Sequence, residues 1–216
     1  CAVTGGMEVD MRKVSRMALC ITLTALTITG CGGANVPDMI DKPMISVAQS
    51  GEVTEYLVGE FGAERYNISE LSSMAAEEAA IYNTANQTGS TTPVKLEKVE
   101  TLEDGSGRVG IVYQYDSAES YTGFNEGSLF YGTVGEAIAQ EYAVNIDLVS
   151  AGGKDGGIFT SDQLKQAVDR RLIIAPYGVY IYCPGKVEYI SDNAVMAEDG
   201  SVNATAAEEP VYILLK

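Results

Sequence analysis

The stretch that decides the fold class runs from Val94 to Tyr115 and reads VKLEKVETLEDGSGRVGIVYQY. Its second half alternates between two sets of side chains, and Val109, Ile111 and Tyr113 fall on the same side as Tyr115. A period of two is typical of a strand with one buried face. We therefore predict a strand here, with the rings of Tyr113 and Tyr115 in the core.

The residues just before this strand predict its partner. Residues 103–107 read EDGSG, a run of turn-forming residue types. Val94 to Leu96 precede this run and have the apolar character of a strand. We expect the two strands to pair as an antiparallel hairpin.

Capping signatures predict three helices. Asn67, Thr133 and Thr160 are each followed three residues later by Glu or Gln, the spacing of a capping box. Apolar residues then recur at helical spacing after each cap. The predicted helices cover residues 69–84, 134–142 and 161–169.

Further apolar runs predict more strands. They are Leu172 to Ile174, Val179 to Cys183 and, at the end of the chain, Val211 to Leu215. Pro184-Gly185 predicts a type II turn, from which Lys186 to Ile190 returns as a second strand.

Helices and strands mixed in this order predict an α+β fold. We expect a single domain in which three or four helices pack on a mainly antiparallel sheet. The fourth helix would run from Ser117 to Phe124.

Composition excludes several kinds of chemistry. The chain has no histidine and a formal net charge of −16. Without imidazole there can be no Ser-His-Asp triad, Cys-His pair or histidine-ligated zinc. The negative charge disfavours nucleic acid and anionic headgroups as partners. We therefore predict no cofactor, no metal site and no nucleic-acid partner.

The stretch from Met11 to Cys31, MRKVSRMALCITLTALTITGC, has the order of a secretion signal. Three cations come first, a short apolar run follows, and small residues precede Cys31. Ile28-Thr29-Gly30-Cys31 resembles the lipobox of bacterial lipoprotein precursors. The resemblance implies that the chain is cut before Cys31, and that Cys31 carries lipid and anchors the protein to the outer face of the cell membrane.

This resemblance sets the expected domain boundaries. Residues 1–30 comprise the upstream residues and the signal peptide. Residues 31–50 are rich in Gly, Pro, Asp and Ser, which predicts a flexible tether behind the lipid-attachment cysteine. Residues 51–216 then form the α+β domain, with regular structure beginning near Val53. Cys183 is the remaining mature cysteine apart from Cys31, and its apolar alternating surroundings predict a buried thiol.

Two further sets of residues are candidate sites. Glu78 falls between Met74 and Tyr82 on the expected apolar face of the first helix, which predicts a buried carboxylate. A structural role for Glu78, capping amides or pairing with a cation such as Arg171, competes with a role as a general acid.

Tyr180 and Tyr182 share a strand face opposite Val179, Ile181 and Cys183. That face is either an exposed binding surface or a part of the core edge.

Three functional classes remain. The first is a non-catalytic binding or accessory module at the cell surface, with an envelope protein or a glycan as partner. The second is a carboxylate-based hydrolase acting on wall or dietary glycans, which would need two carboxylates facing one cleft. The third is a solute-binding subunit of a transporter. No catalytic motif selects the second class.

Overall fold

The computed structural model describes residues 41–60, 67–103, 105–125, 127–153 and 156–216. The predicted signal, the lipobox and Cys31 lie outside the described residues.

Within the described residues the structure has 13 strands and four helices. In chain order they are β1 (Met44–Val47), β2 (Val53–Glu60), α1 (Ile68–Asn86), β3 (Val94–Thr101), β4 (Arg108–Tyr115), α2 (Ala118–Phe124), β5 (Phe130–Thr133), α3 (Val134–Ala139), β6 (Leu148–Ser150), β7 (Ile158–Phe159), α4 (Ser161–Gln166), β8 (Arg171–Ala175), β9 (Tyr180–Tyr182), β10 (Val187–Ile190), β11 (Val195–Met196), β12 (Val202–Asn203) and β13 (Val211–Leu215).

The strands form two sheets, and the fold is α+β as predicted. The seven-stranded sheet has the order β11-β12-β9-β1-β2-β4-β3, and the six-stranded sheet has the order β5-β8-β13-β10-β6-β7. Pairing is antiparallel except between β1 and β9. The prediction of one sheet carrying the helices understated how much of the described chain is strand.

The predicted hairpin is confirmed. Strands β3 and β4 pair antiparallel, with Val94 opposite Tyr115 and Leu96 opposite Tyr113. Tyr113 and Tyr115 are buried, as their shared strand face predicted.

The two sheets share one hydrophobic core. Ile45 and Ile181 of the seven-stranded sheet belong to the same cluster of buried residues as Ile173 and Ile213 of the six-stranded sheet. Cys183 lies in this cluster, which confirms the predicted buried thiol, and burial raises its pKa to about 12. A sulfhydryl in such surroundings behaves as a small apolar group.

Helices α3 and α4 cover the other face of the six-stranded sheet. Val134, Ala137 and Leu164 form a second cluster with Leu172 and Leu214 of that sheet.

All three predicted helix caps are confirmed. Asn67, Thr133 and Thr160 are N-cap residues, and the last two form complete capping boxes with Glu136 and Gln163. Helices α3 and α4 are shorter than predicted and end at Ala139 and Gln166. The fourth helix also exists, as α2, with Ser117 as its cap.

The predicted tether over residues 31–50 is wrong in its last part. Met44 to Val47 form strand β1, and all four residues are buried. This strand pairs with β2 on one side and with β9 on the other. The Gly, Pro and Ser residues around it obscured a strand of four residues, because so short a strand shows almost no periodicity.

The predicted return after Pro184-Gly185 is also wrong. Strand β9 belongs to the seven-stranded sheet and β10 to the six-stranded sheet, so the chain crosses between the sheets here. Gly185 is not among the glycines with positive φ, which a type II turn requires at this position.

Candidate functional site

Helix α1 contacts the seven-stranded sheet through small side chains. Ala75 and Ala79, one helical turn apart, are its buried residues. The side chain of Asn83 fixes the helix to β3: its Nδ2 donates to Val94 O at 2.7 Å, and Val94 N donates to its Oδ1 at 2.9 Å. Alanines allow the helix to approach the strands closely, which fixes the rotation of α1 about its axis.

This rotation overturns the prediction that Glu78 is buried. Glu78 is exposed, and Met74, which was assigned to the buried face, is 67% exposed. Apolar spacing alone placed Met74 and Tyr82 at the centre of the contact. The helix instead uses the alanine side, which leaves Met74 and Glu78 at the border of the contact.

The side of α1 at the border of its contact with the sheet forms one wall of an open groove, which we call the α1 groove. Its volume is about 610 Å³. Strands β2 and β4 and the end of α2 provide the rest of its lining. The apolar lining comes mainly from Leu57, Leu71, Met74, Ile81, Ile111, Tyr113 and Phe124.

Three of these side chains are unusually open to solvent. Leu57 is 37% exposed, Met74 67% and Ile81 66%. Single exposed apolar residues are common on protein surfaces, whereas a group of them in one concave site is typical of an interaction site. The charged residues in the described lining are Glu77 and Glu78, both acidic.

A buried carboxylate lies beside this groove. Glu55, on β2, is 5% exposed and sits opposite Tyr113 in the strand register. Its Oε2 accepts from Tyr115 Oη at 2.5 Å and from Asn125 Nδ2 at 3.3 Å. Its Oε1 accepts from Tyr121 Oη at 3.3 Å. We call Glu55, Tyr115, Tyr121 and Asn125 the Glu55 cluster.

All the partners of Glu55 in this cluster are neutral donors. Burial raises the pKa of Glu55, and the hydrogen bonds from Tyr115, Asn125 and Tyr121 oppose that rise. Burial and the nearby Glu55 charge also raise the pKa values of Tyr115 and Tyr121 well above the ordinary value for tyrosine. Buried carboxylates are normally paired with a cation, so this arrangement is uncommon.

Sequence reasoning missed Glu55, although the sequence held a signal for it. Val53, Glu55 and Leu57 are two residues apart, so a strand here places Glu55 on the apolar face. The helical spacing of Met74, Glu78 and Tyr82 predicted a buried carboxylate on α1 instead.

Tyr113 connects the Glu55 cluster with the α1 groove. Its ring lines the groove, and its hydroxyl donates to Ala75 O at 3.3 Å. Burial, together with the negative charges of Glu78 and Glu55, raises the pKa of Tyr113 to about 12. Both carboxylates therefore disfavour ionisation of the Tyr113 hydroxyl.

Tyr180 and Tyr182 do not form an exposed aromatic face. Tyr182 is 1% exposed, and its hydroxyl donates to Asp199 Oδ2 at 2.7 Å. Lys42 Nζ lies 3.9 Å from the centroid of the Tyr180 ring and 3.0 Å from the same Asp199 oxygen. We call these four residues the Lys42 cluster. Of the two alternatives that the sequence left open, an exposed binding surface and a part of the core edge, the structure supports the core edge for Tyr182. The ring of Tyr180 is covered by Lys42.

Another cavity lies where β6 and β7 approach β11. Its volume is about 1030 Å³, and its lining includes Val149, Ile158, Ile190, Val195 and Met196. Asp192 is the charged residue in the described lining.

The described ranges contain neither a cluster of metal ligands nor a helix that could span a membrane. Among these residues, no three acidic or cysteine side chains cluster as metal ligands would. None of the helices in the same part of the chain has the length and apolar character needed to cross a membrane.

Comparison of the chain with protein-family models, curated protein sequences and solved structures gave no match.

Proposed function

We propose that this chain is a lipid-anchored binding module on the outer side of the cell membrane, and that the α1 groove binds a segment of another envelope protein. The group of exposed apolar residues Leu57, Met74 and Ile81 in that groove carries the proposal. A segment with apolar anchor residues would remove them from water.

The charge of the groove indicates the chemistry of the partner. Glu77 and Glu78 lie beside the apolar residues, and the chain as a whole is strongly acidic. A segment with lysine or arginine next to its apolar anchors complements this surface, whereas an acidic segment is repelled. We therefore propose an amphipathic, basic segment as the occupant.

The other two functional classes have less support. A carboxylate hydrolase needs two acids facing one cleft. Glu77 and Glu78 both line the α1 groove, but they are neighbours on one helix and do not face each other across it. The oxygens of Glu55 face Tyr115, Tyr121 and Asn125. A two-lobed solute-binding protein closes around a ligand between its lobes, whereas the two sheets of this chain share one core.

The first test compares two peptides of about 12 residues, long enough for three turns of helix. One has a helical pattern of Leu and Lys, and the other has Glu in place of each Lys. We expect the Leu/Lys peptide to bind and to shift the nuclear magnetic resonances of groove residues, and the Leu/Glu peptide not to bind. The expected affinity of the Leu/Lys peptide falls at high salt.

Variants assign the binding to the groove. Met74→Lys and Ile81→Lys each place a cation among the apolar residues, which repels the Leu/Lys peptide, and each should abolish its binding. Ile138→Lys is the matched control, because Ile138 is an exposed apolar residue on α3, outside the groove. Equal binding by Met74→Lys, Ile81→Lys and Ile138→Lys would contradict the proposal.

A second test concerns the anchor. We expect Cys31→Ala to release the mature protein from the membrane fraction or to leave it uncleaved, and Cys20→Ala to change neither outcome. Cell fractionation with mass spectrometry of the mature N-terminus measures both. An unmodified Cys31 in an intact, membrane-bound protein would rule out the anchor.

A further inference from the structure

The end of the α1 groove formed by Tyr113, Phe124 and Asn125 has features that suit a cation. The partly exposed ring of Phe124 lines it and packs edge to face on the buried ring of Tyr113, with the centroids 5.2 Å apart. Ring faces attract ammonium and guanidinium groups through their quadrupole. Glu78 lines the same groove from α1.

Asn125 stands between the groove and the buried carboxylate. Its Nδ2 donates to Tyr115 Oη at 3.0 Å and to Glu55 Oε2 at 3.3 Å. Both contacts use the nitrogen end of the amide. Within the described part of the chain, no donor is bonded to Asn125 Oδ1. The amide nitrogen therefore donates to Tyr115 and Glu55, while the amide oxygen is available as an acceptor.

Such an amide can transmit charge. An acceptor that holds the N–H of an amide polarises the group, so that its carbonyl oxygen becomes a stronger acceptor. Glu55 is a charged acceptor in a buried site, where electrostatic effects are stronger than in water.

We infer that this end of the α1 groove is a subsite for one lysine or arginine side chain of the bound segment, with Asn125 linking its cation to Glu55. The inference rests on the proposed function and adds a specificity-determining residue to it. The aliphatic stem of the side chain lies on Phe124, its cationic end donates to Asn125 Oδ1, and Glu78 provides a second negative charge.

The inference also accounts for the missing counter-charge of Glu55. Its known partners are neutral, and a buried carboxylate without a cation destabilises the fold. A cation bound next to Asn125 provides the opposite charge from outside, without entering the core.

A double-mutant cycle tests the subsite. The probes are a Leu/Ser peptide with one Lys and the same peptide with Nε-acetyl-lysine, which keeps the stem and removes the charge. Because burial raises the pKa of Glu55, the peptides are compared from about pH 6 to about pH 9, a range in which lysine stays protonated. In the upper part of that range we expect the wild-type protein to bind the Lys peptide at least about fivefold more tightly, a difference of ~1 kcal/mol. Glu55→Gln should reduce this ratio to less than about twofold.

Glu119→Gln is the control for the loss of one negative charge, because Glu119 is exposed on α2 and does not line the groove. It should leave the ratio unchanged. A ratio that survives in Glu55→Gln, or that falls equally in Glu119→Gln, overturns the inference. If both peptides bind the wild-type groove equally, the cation subsite fails and the proposed function stands. If neither binds, both fail.

A measurement on the wild-type protein covers the case in which Glu55→Gln does not fold. The side-chain amide resonances of Asn125 should shift with the Lys peptide and stay in place with the acetyl-lysine peptide. Identical shifts with the two peptides overturn the inference.

Discussion

At the scale of single residues, the most informative position is Glu55. Its carboxylate is buried among tyrosines, and neutral hydroxyl and amide groups satisfy its oxygens. Hydrogen bonds from Tyr115, Tyr121 and Asn125 hold the carboxylate in place. The stability of the fold therefore depends on whether Glu55 is protonated.

The pH dependence of stability follows from the direction of the pKa shift. Burial raises the folded-state pKa of Glu55, so the native protein holds this proton at a pH where the unfolded chain has lost it. Stability from Glu55 is fully present below the ordinary carboxyl pKa and is lost as the pH rises through the raised value. Glu55→Gln imitates the protonated form, and we expect it to be at least as stable as wild type at about pH 9.

Glu55→Ala is the contrasting variant. It leaves the hydroxyls of Tyr115 and Tyr121 without their acceptor, which should cost about 1–3 kcal/mol of unfolding free energy. Urea denaturation is compared at two pH values, one below the ordinary carboxyl pKa of about 4.3 and one at about pH 9, because the loss follows the upward shift of the Glu55 pKa. A Gln variant that is as unstable as the Ala variant at the higher pH would contradict this account.

At the scale of elements, helix α1 shows how packing sets the rotation of a helix. Two alanines form the contact, and the larger side chains Met74 and Ile81 remain at the border, where they build the groove. The groove therefore depends on how closely α1 approaches β3.

The contact leads to a prediction about the size of one side chain. Ala79→Leu adds volume to the buried contact, and we expect it to reduce the free energy of unfolding by about 1–3 kcal/mol. Ala80→Leu is the matched control, because Ala80 is exposed on the same helix. Its expected change is within about 0.5 kcal/mol. Equal effects of the two variants in urea denaturation would show that α1 does not pack as described.

Local signals in the sequence predicted the elements more successfully than the contacts between them. The caps at Asn67, Thr133 and Thr160 were correct because capping depends on groups within four residues of each other. The hairpin of β3 and β4 was correct because a short turn joins adjacent strands. Pro184-Gly185 also resembled a turn, but the separation of β9 and β10 between two sheets depends on distant strands. The burial of Glu78 was predicted wrongly and the burial of Glu55 was not predicted, since burial depends on partners far away in sequence.

At the scale of the whole molecule, the N-terminal part of the described chain is built into the fold. Strand β1 lies between β2 and β9, and Ile45 and Val47 belong to the core that the two sheets share. The Lys42 cluster fixes the residues just before it. Hydrogen bonds from Ser201, Tyr182 and Lys42 hold the pKa of Asp199 well below its ordinary range, against the opposing effect of burial.

Truncation tests the role of β1. We expect a chain that starts at Asp41 to unfold cooperatively on heating, as measured by circular dichroism. A chain that starts at Ala48 lacks β1, leaves β2 and β9 without their common neighbour, and should have no cooperative transition. Cooperative unfolding of both chains at the same temperature would show that β1 does not contribute to the fold and belongs to the tether.

The position of β1 has a mechanical consequence for the proposed anchored protein. About ten residues separate Cys31 from Asp41, a reach of at most ~35 Å when fully extended. In the proposed anchored protein, a pull between the membrane and a partner held in the groove would reach the sheet first at β1. β1 is hydrogen-bonded to β2 on one side and to β9 on the other, so both neighbours would hold it against such a pull. The strand nearest the proposed anchor would thus join the tether to the middle of the seven-stranded sheet.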